Sequence, residues 1–230
     1  MTASSNNQSV SSRLIPFVIG FCLPILVFIL LASHVWNQGK GFRWDIPVLE
    51  AIHVTARPVL DRIALAVTPL GVIWGVLPVL SVIGIVLLYQ RRWRSLLYLI
   101  ITPVGSALLN RVVKLYFHRA RPQLWEVFSP DLSYAFPSGH AMSSMTLVVV
   151  LIVLAWQTRW RWLTLIGGSF FVLVIGWTRL YLGMHYPSDV LAGWVLAIAW
   201  SIATMLIIQP QSDPTATSDL RERETIPNHN

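Results

Sequence analysis

Residues 137–157 read PSGHAMSSMTLVVVLIVLAWQ, where a polar turn leads directly into an apolar run. The run from 139 to 157 is close to the ~20 residues that an α-helix needs to cross ~30 Å of hydrocarbon. Ser138 is a favoured residue type at a helix N-cap, and Gly139 allows backbone to approach a ligand closely. Because a helix N-terminus presents free N–H groups and partial positive charge, this stretch predicts a transmembrane helix that begins at an anion site.

Five further apolar runs extend the pattern on both sides. They have similar lengths and cover about 14–36, 64–89, 95–116, 163–182 and 189–208. The sequence therefore predicts an all-α polytopic membrane protein, with six transmembrane helices in one domain at 13–208 and disordered polar tails at 1–12 and 209–230. The second half of the polar loop at 37–62 interleaves apolar and charged residues, which favours a short interfacial helix there.

The composition argues against a separate soluble domain and against a nucleic-acid partner. Only 12% of the residues are charged and 55% are hydrophobic, whereas soluble domains carry about 25% charged residues. The net charge of +7 is spread over loops and motifs, so lipid head groups and phosphate are better partners. Cys22 is the single cysteine, which leaves no internal disulfide and no cysteine-based metal site.

Basic loops predict the orientation of the helices. The positive-inside rule places the loops after the second and fourth spans, and both termini, in the cytoplasm, because these loops carry Arg91, Arg92, Arg94, Arg159 and Arg161. Lys40, Arg43, Arg57 and Arg62 in the first loop weaken the rule, but the polar motifs support it. They all lie where helix three ends, helix four begins, helix five ends and helix six begins, on the non-cytoplasmic face.

Three basic residues at these helix ends suit a phosphate ligand. Lys114 lies near the end of the third span, Arg121 follows seven residues later, and Arg179 lies near the end of the fifth span. Arginine offers planar bidentate contacts to phosphate oxygens, while lysine acts as a point charge. With Ser138 and Gly139, these residues form the predicted phosphate-binding set. Taken alone, Lys114 and Arg121 could be snorkelling charges at a membrane edge, and Ser138 could be only a cap.

Two histidines complete a set for phosphoryl transfer. His185 is the predicted nucleophile, because Asp189 four residues later can accept a proton from one ring nitrogen and leave the other to attack phosphorus. His140 is then available as the general acid that protonates the leaving group and as the base that activates water. Alone, His185 and Asp189 could equally be a structural pair. No cluster of carboxylates offers a magnesium site, so neither metal nor cofactor is expected.

The ordered motifs Lys-x6-Arg-Pro, Pro-Ser-Gly-His and Arg-x5-His-x3-Asp resemble those of the type 2 phosphatidic acid phosphatase (PAP2) superfamily. They are carried here by Lys114, Arg121 and Pro122, then 137–140, then Arg179, His185 and Asp189. The resemblance covers about residues 60–208, with Thr178 where the third motif often begins with serine. It implies a six-helix fold and metal-independent hydrolysis of a lipid phosphate through a phosphohistidine.

The sequence thus predicts an integral membrane lipid phosphatase that takes its substrate from the bilayer. Phosphatidic acid is the leading substrate, with undecaprenyl diphosphate and phosphatidylglycerophosphate as alternatives, because the motifs read phosphate and not the tail. The compact loops are typical of a bacterial inner-membrane enzyme. A lipid phosphotransferase could use the same residues, and an anionic lipid transporter is the alternative of another class. Some polar residues receive no catalytic role: Arg111 as a snorkelling or supporting charge, His118 and Arg119 as solvated loop residues, and His34 and His53 as residues without evident partners.

Overall fold

A computed structural model of the chain describes residues 14–38, 41–125 and 133–210. Regular secondary structure within these ranges is helical throughout, which confirms the all-α prediction. Of the predicted disordered tails at 1–12 and 209–230, residues 1–12 and 211–230 lie outside the described residues.

The helices are numbered here in chain order. Two short irregular helices accompany them, a π-helical segment at Pro16–Cys22 that runs into α1 and a 3₁₀ turn at Thr68–Gly71 that follows α3. The α-helices are α1 (Leu23–Gln38), α2 (Asp45–His53), α3 (Pro58–Val67), α4 (Val76–Tyr89), α5 (Trp93–Phe117), α6 (Gly139–Ala155), α7 (Arg161–Tyr181) and α8 (Pro187–Ile208).

Five of the six predicted spans correspond to helical segments long and apolar enough to cross a membrane. These segments are Pro16–Trp36, Pro58–Tyr89, Trp93–Phe117, Arg161–Tyr181 and Pro187–Ile208. The sixth, α6, is apolar but has only 17 residues, which gives about 26 Å at 1.5 Å per residue. Because α6 packs against α5, α7 and α8 at the centre of the bundle, a helix this short can still form one of the six spans.

The second span is not the continuous helix that its apolar sequence predicts. α3 begins at Pro58, six residues before the predicted start, and the helix is broken between Thr68 and Gly75. Pro69 lacks the N–H that would continue the helical bonding. Gly75 approaches the preceding turn so closely that a Cβ there would lie 2.2 Å from the Leu70 carbonyl oxygen. The predicted short helix in the first loop is present as α2.

Hydroxyl groups join the central helices inside the bundle. The Ser106 and Thr146 hydroxyls hydrogen-bond at 2.7 Å between α5 and α6, and the Thr102 and Thr204 hydroxyls at 2.9 Å between α5 and α8. Such interhelical bonds stabilise membrane bundles, where apolar side chains gain little by leaving lipid. They fix the helices whose ends carry the motifs: α5 and α7 end where α6 and α8 begin.

Candidate active site

The motif-bearing helix ends surround a cavity of about 260 Å³. Five of the predicted site residues line it: Lys114, Arg121, Gly139, His140 and His185. The cavity continues between the helices past Asn110, Ser143, Ser106 and Thr146 to Pro103 and Val72. The three motifs, which are separated by up to 75 residues in sequence, therefore meet at one polar opening that extends into the apolar part of the bundle.

His185 lies in the turn between α7 and α8 and is 1% exposed. Gly183 makes this turn possible, because it adopts φ +66° and a Cβ there would lie 2.5 Å from Nε1 of Trp125. The His185 Nε2 atom is 3.2 Å from Nη1 of Arg121 at the cavity wall. Burial lowers the pKa of His185 well below its usual value, and the charges of Arg179, Arg121 and Lys114 and the His140 ring lower it further. The lowered pKa favours the neutral ring, which is the form that the predicted nucleophile would need.

Asp189 is close to His185, as predicted, but it has other partners. Its Oδ2 atom is 3.6 Å from His185 Nδ1, which is beyond hydrogen-bond range. Oδ2 accepts instead from the Tyr186 backbone N–H at 2.9 Å, and Oδ1 accepts from Arg119 Nη1 at 2.5 Å. The carboxylate is therefore held by Arg119 at one oxygen and by the Tyr186 N–H at the other.

Two of the three predicted phosphate-binding cations face the cavity and also contact the loop before α6. Lys114 lies in the last turn of α5 and donates to the Tyr134 carbonyl and, at 3.3 Å, to the Ser133 hydroxyl. Arg121 donates through Nε to the Ser133 carbonyl at 2.8 Å and through Nη1 to the Met184 carbonyl at 2.7 Å. The backbone at Ser133 and Tyr134 thus satisfies the groups that would bind phosphate oxygens.

Arg179 and Ser138 lie behind the cavity wall. Arg179 is 2% exposed and donates to the Thr68 hydroxyl at 2.8 Å, so the break in the second span provides its partner. Ser138 is the N-cap residue of α6 but makes no capping bond with its side chain. Its buried hydroxyl has no hydrogen-bond partner within the described residues, while its backbone N–H donates to the Asp189 carbonyl at 3.0 Å. That bond ties the start of α6 to the start of α8.

The prediction that Arg119 is a solvated loop residue is wrong. Arg119 is 5% exposed and its guanidinium contacts Asp189 at 2.5 Å and Asp45 at 2.9 Å. Asp45, which received no role from the sequence, is fully buried at the first turn of α2. The position of Arg119 two residues before Arg121 could have indicated a role for Arg119 in the site. Nothing in the sequence, however, connects Asp45 with Arg119, which lies 74 positions away.

The other peripheral residues have simple surroundings. The rings of His34 and His53 do have partners, since they stack on Phe42 and Trp125, each with centroids 3.9 Å apart. Arg111 is exposed on α5, and His118 is exposed with Nδ1 3.3 Å from the Tyr116 carbonyl. In the part of the chain that the structure describes, no group of three or more His, Cys, Asp or Glu residues is placed to hold a metal ion.

Both the sequence and the fold have relatives among known proteins. A family model described as the PAP2 superfamily matches residues 92–213. Phosphatidylglycerophosphatase B of Bacillus subtilis (strain 168) is 28% identical over 182 residues, which cover 75% of this chain and 87% of the relative. Undecaprenyl-diphosphatase of Sulfolobus acidocaldarius is 24% identical over 181 residues, which cover 75% of this chain and 83% of the relative.

The fold also has a solved counterpart. The crystal structure of a transmembrane PAP2 type phosphatidylglycerolphosphate phosphatase from Bacillus subtilis superimposes with a TM-score of 0.71 at 24% identity. The superposition covers 91% of this chain and 98% of that chain.

Proposed function

The chain belongs to the PAP2 superfamily, and on that premise we propose that it removes the terminal phosphate of a membrane lipid through a phosphohistidine at His185. At the coarser level it is a multi-pass membrane lipid phosphatase, as its family and its membrane-length helices indicate. The family favours hydrolysis over the transporter alternative. The observation that carries the proposal is the buried His185, which lines a cavity together with His140, Lys114 and Arg121 and has its Nε2 3.2 Å from Arg121 Nη1.

The first step forms a phosphorus–nitrogen bond and breaks a phosphorus–oxygen bond. Nε2 of His185 attacks the phosphorus in line, and the leaving oxygen departs with a proton from His140. Asp189 holds the proton on Nδ1 and balances the positive charge that develops on the ring. Because Oδ2 of Asp189 is 3.6 Å from Nδ1, we expect this contact to shorten into a hydrogen bond when phosphate occupies the cavity.

Cations stabilise the negative charge on the transferring group. Lys114 and Arg121 would exchange their contacts to the Ser133–Tyr134 backbone for phosphate oxygens, and Arg179 would add charge from behind the wall. Backbone N–H groups at Gly139 and the Ser138 hydroxyl, buried without a partner among the described residues, would complete the oxyanion set. In the second step, His140 takes a proton from water, which attacks phosphorus and releases inorganic phosphate and free His185.

The shape of the cavity supports a lipid substrate. Its phosphate end is lined by charged residues, and its inner end passes Val72 and Pro103 within the bundle. A head group could therefore bind at the cations while its chains remain among the helices or in the bilayer. We infer that the substrate enters sideways from the membrane, head group first.

Glycerolipid phosphomonoesters are the leading substrate class. Phosphatidic acid is the sequence-based candidate, and phosphatidylglycerophosphate joins it because a relative 28% identical is named for that activity. Undecaprenyl diphosphate is a second candidate, supported by the relative named undecaprenyl-diphosphatase. The candidate site residues lie near the ends of α5 and α7, whereas the basic turns at 90–92 and 156–160 come just before these helices begin. The positive-inside rule therefore supports a site on the non-cytoplasmic face of a bacterial inner membrane.

Phosphate release by the purified full chain in detergent tests this proposal. The substrates are phosphatidic acid, phosphatidylglycerophosphate and undecaprenyl diphosphate, and the kcat/KM values rank them. His185→Ala should abolish turnover while the protein stays folded, because no other group replaces the nucleophile. His34→Ala is the matched control, since this histidine stacks on Phe42 and has no catalytic role. Substantial turnover by His185→Ala, or none by the unmodified protein with any substrate, would refute the assignment.

A further inference from the structure

A buried charge cluster lies behind His185. It comprises Asp45 from α2, Arg119 from the loop after α5, and Ser188 and Asp189 from the start of α8, and is called the Asp45 cluster below. Asp45 Oδ2 accepts from Arg119 Nη2 at 2.9 Å and from the Ser188 hydroxyl at 2.7 Å. Asp45 Oδ1 accepts from the Ser188 backbone N–H at 3.0 Å. Every acceptor atom of Asp45 is therefore occupied within the protein.

Arg119 connects the cluster to the active site. Its Nη1 donates to Asp189 Oδ1 at 2.5 Å and to the Ser188 hydroxyl at 2.8 Å, and its guanidinium lies 4.2 Å from the centre of the Tyr186 ring. One arginine thus bridges two carboxylates, all with side chains no more than 3% exposed. The cluster carries one net negative charge, from two carboxylates and one guanidinium.

Residues 41–42, which precede α2, pack closely against this ion pair. Gly41 adopts φ +80°, a conformation that other L-residues rarely take. A Cβ on Gly41 would lie 2.2 Å from Arg119 Nη2 and 2.7 Å from Asp45 Oδ2. The Phe42 backbone N–H also donates to Asp45 Oδ2 at 3.0 Å. Since burying charges is costly and an apolar replacement is often as stable, the cluster calls for a reason beyond packing.

We propose that Asp45 is a positioning residue that acts through Arg119 on Asp189 and thereby sets the charge facing His185. With Asp45 present, Arg119 is shared between two carboxylates, so Asp189 keeps part of its negative charge for the histidine. Without Asp45, Arg119 would neutralise Asp189 alone. The inference rests on the proposed function, because it assigns the cluster to the charge that His185 acquires during phosphoryl transfer.

The groups around His185 make the negative charge of Asp189 important. Lys114 and Arg121 face it from α5 and the loop that follows, His140 from α6, and Arg179 from α7. Among the described residues, the carboxylate that faces it is Asp189 of α8. A phosphorylated imidazole ring carries positive charge and is repelled by the three neighbouring cations. The negative charge of Asp189 offsets this repulsion. Any loss of its negative charge should reduce the basicity and the nucleophilicity of Nε2.

Asp45→Asn tests the inference, since it removes one charge with little change of shape. We expect kcat to fall by about 10- to 100-fold, by analogy with the loss seen when outer partners of metal-binding histidines are removed, with KM changed by less than about 3-fold. The acid limb of the kcat–pH profile should move to lower pH, because the ring loses a counterion. A merely structural role would lower the folded fraction and leave the profile of the folded enzyme unchanged, which would overturn the inference.

A double-mutant cycle isolates the route through Asp189. In the Asp189→Asn background, Asp45→Asn should cost less than about 2-fold, because its effect passes through a carboxylate that is already absent. Losses that multiply would overturn the inference. Asp61→Asn is the matched control: this carboxylate accepts from the Tyr181 hydroxyl at 2.6 Å, away from the cluster, and its substitution should leave kcat within about 2-fold.

Two further outcomes separate this inference from the proposed function. If Asp45→Asn does not fold, Arg119→Lys replaces it, because lysine keeps the charge but cannot bridge both carboxylates in a planar fork. Full activity of Arg119→Lys would overturn the inference. Normal turnover by the unmodified chain with an unaffected Asp45→Asn variant would overturn the inference alone. Absence of phosphate release by the unmodified chain would overturn both.

Discussion

Replacing Asp189 with asparagine tests the active site at its most constrained point. Both carboxylate oxygens accept hydrogen bonds, Oδ1 from Arg119 at 2.5 Å and Oδ2 from the Tyr186 N–H at 2.9 Å. An amide has one acceptor oxygen, so its NH₂ group must face a donor in either orientation. With NH₂ at the Oδ2 position, it also points at His185 Nδ1, 3.6 Å away in the unmodified protein. Donation to Nδ1 would move the ring proton to Nε2, the atom that must attack.

The expected loss follows from this wrong tautomer. In serine proteases the corresponding Asp→Asn change lowers kcat by about 10⁴-fold. We therefore expect a loss of about 10³- to 10⁴-fold for Asp189→Asn, equivalent to about 4–5.5 kcal/mol of transition-state stabilisation. The fold should survive, because Arg119 keeps Asp45 at 2.9 Å and the Ser188 hydroxyl at 2.8 Å.

The assay is phosphate release from phosphatidic acid and phosphatidylglycerophosphate by the purified variant, with thermal unfolding as a check on folding. Asp61→Asn controls for the chemical change alone, since Asp61 bonds Tyr181 on α7. A folded Asp189→Asn variant with kcat within about 3-fold of the unmodified protein would refute the tautomer argument.

Three further predictions concern the same site. His140→Ala should slow a lipid alkoxide leaving group by about 10²- to 10⁴-fold and a p-nitrophenolate leaving group much less; equal slowing would contradict general-acid catalysis by His140. Because the pKa of His185 is lowered by burial and neighbouring cations, the nucleophile stays neutral as pH falls through about 6.5. The acid limb of kcat/KM, corrected for ionisation of the substrate phosphate, should therefore lie below that value, and a limb at or above it would contradict this environment. EDTA should leave activity intact, and a loss restored by added divalent cation would reveal a metal requirement.

The parts of the site that follow local rules could be predicted from the sequence. Lys114, His140 and His185 lie at helix ends, and six alternating apolar runs bring those ends together. His185 and Asp189 are four residues apart, so their proximity depends on one helix start. Element boundaries were also close: α5 ends at Phe117, against a predicted end near 116.

Tertiary contacts explain what the sequence did not reveal. The second span was predicted as continuous although it contains Pro69 and Gly75, which are the local signals of its break. What the sequence did not reveal is the tertiary contact there, the bond between Thr68 and Arg179. Asp45 and Arg119 were missed because each looks like an ordinary loop charge, and only the packed fold buries them together. Ser138 was predicted to bind phosphate, with a simple capping role as the alternative. Its hydroxyl makes no capping bond and, within the described residues, is buried without a partner, which favours a ligand contact over a capping role.

The contacts from Lys114 and Arg121 to the backbone at Ser133 and Tyr134 have a consequence for product release. The protein supplies its own competitor for the cations, because the Ser133 and Tyr134 carbonyls accept from donors that a phosphate would otherwise use. A lipid can offset this competition with the burial of its chains, whereas inorganic phosphate cannot. We therefore expect free phosphate to be a poor inhibitor, and strong inhibition would contradict this competition. The same backbone carbonyls would then disfavour binding of water-soluble phosphates and favour release of the phosphate product.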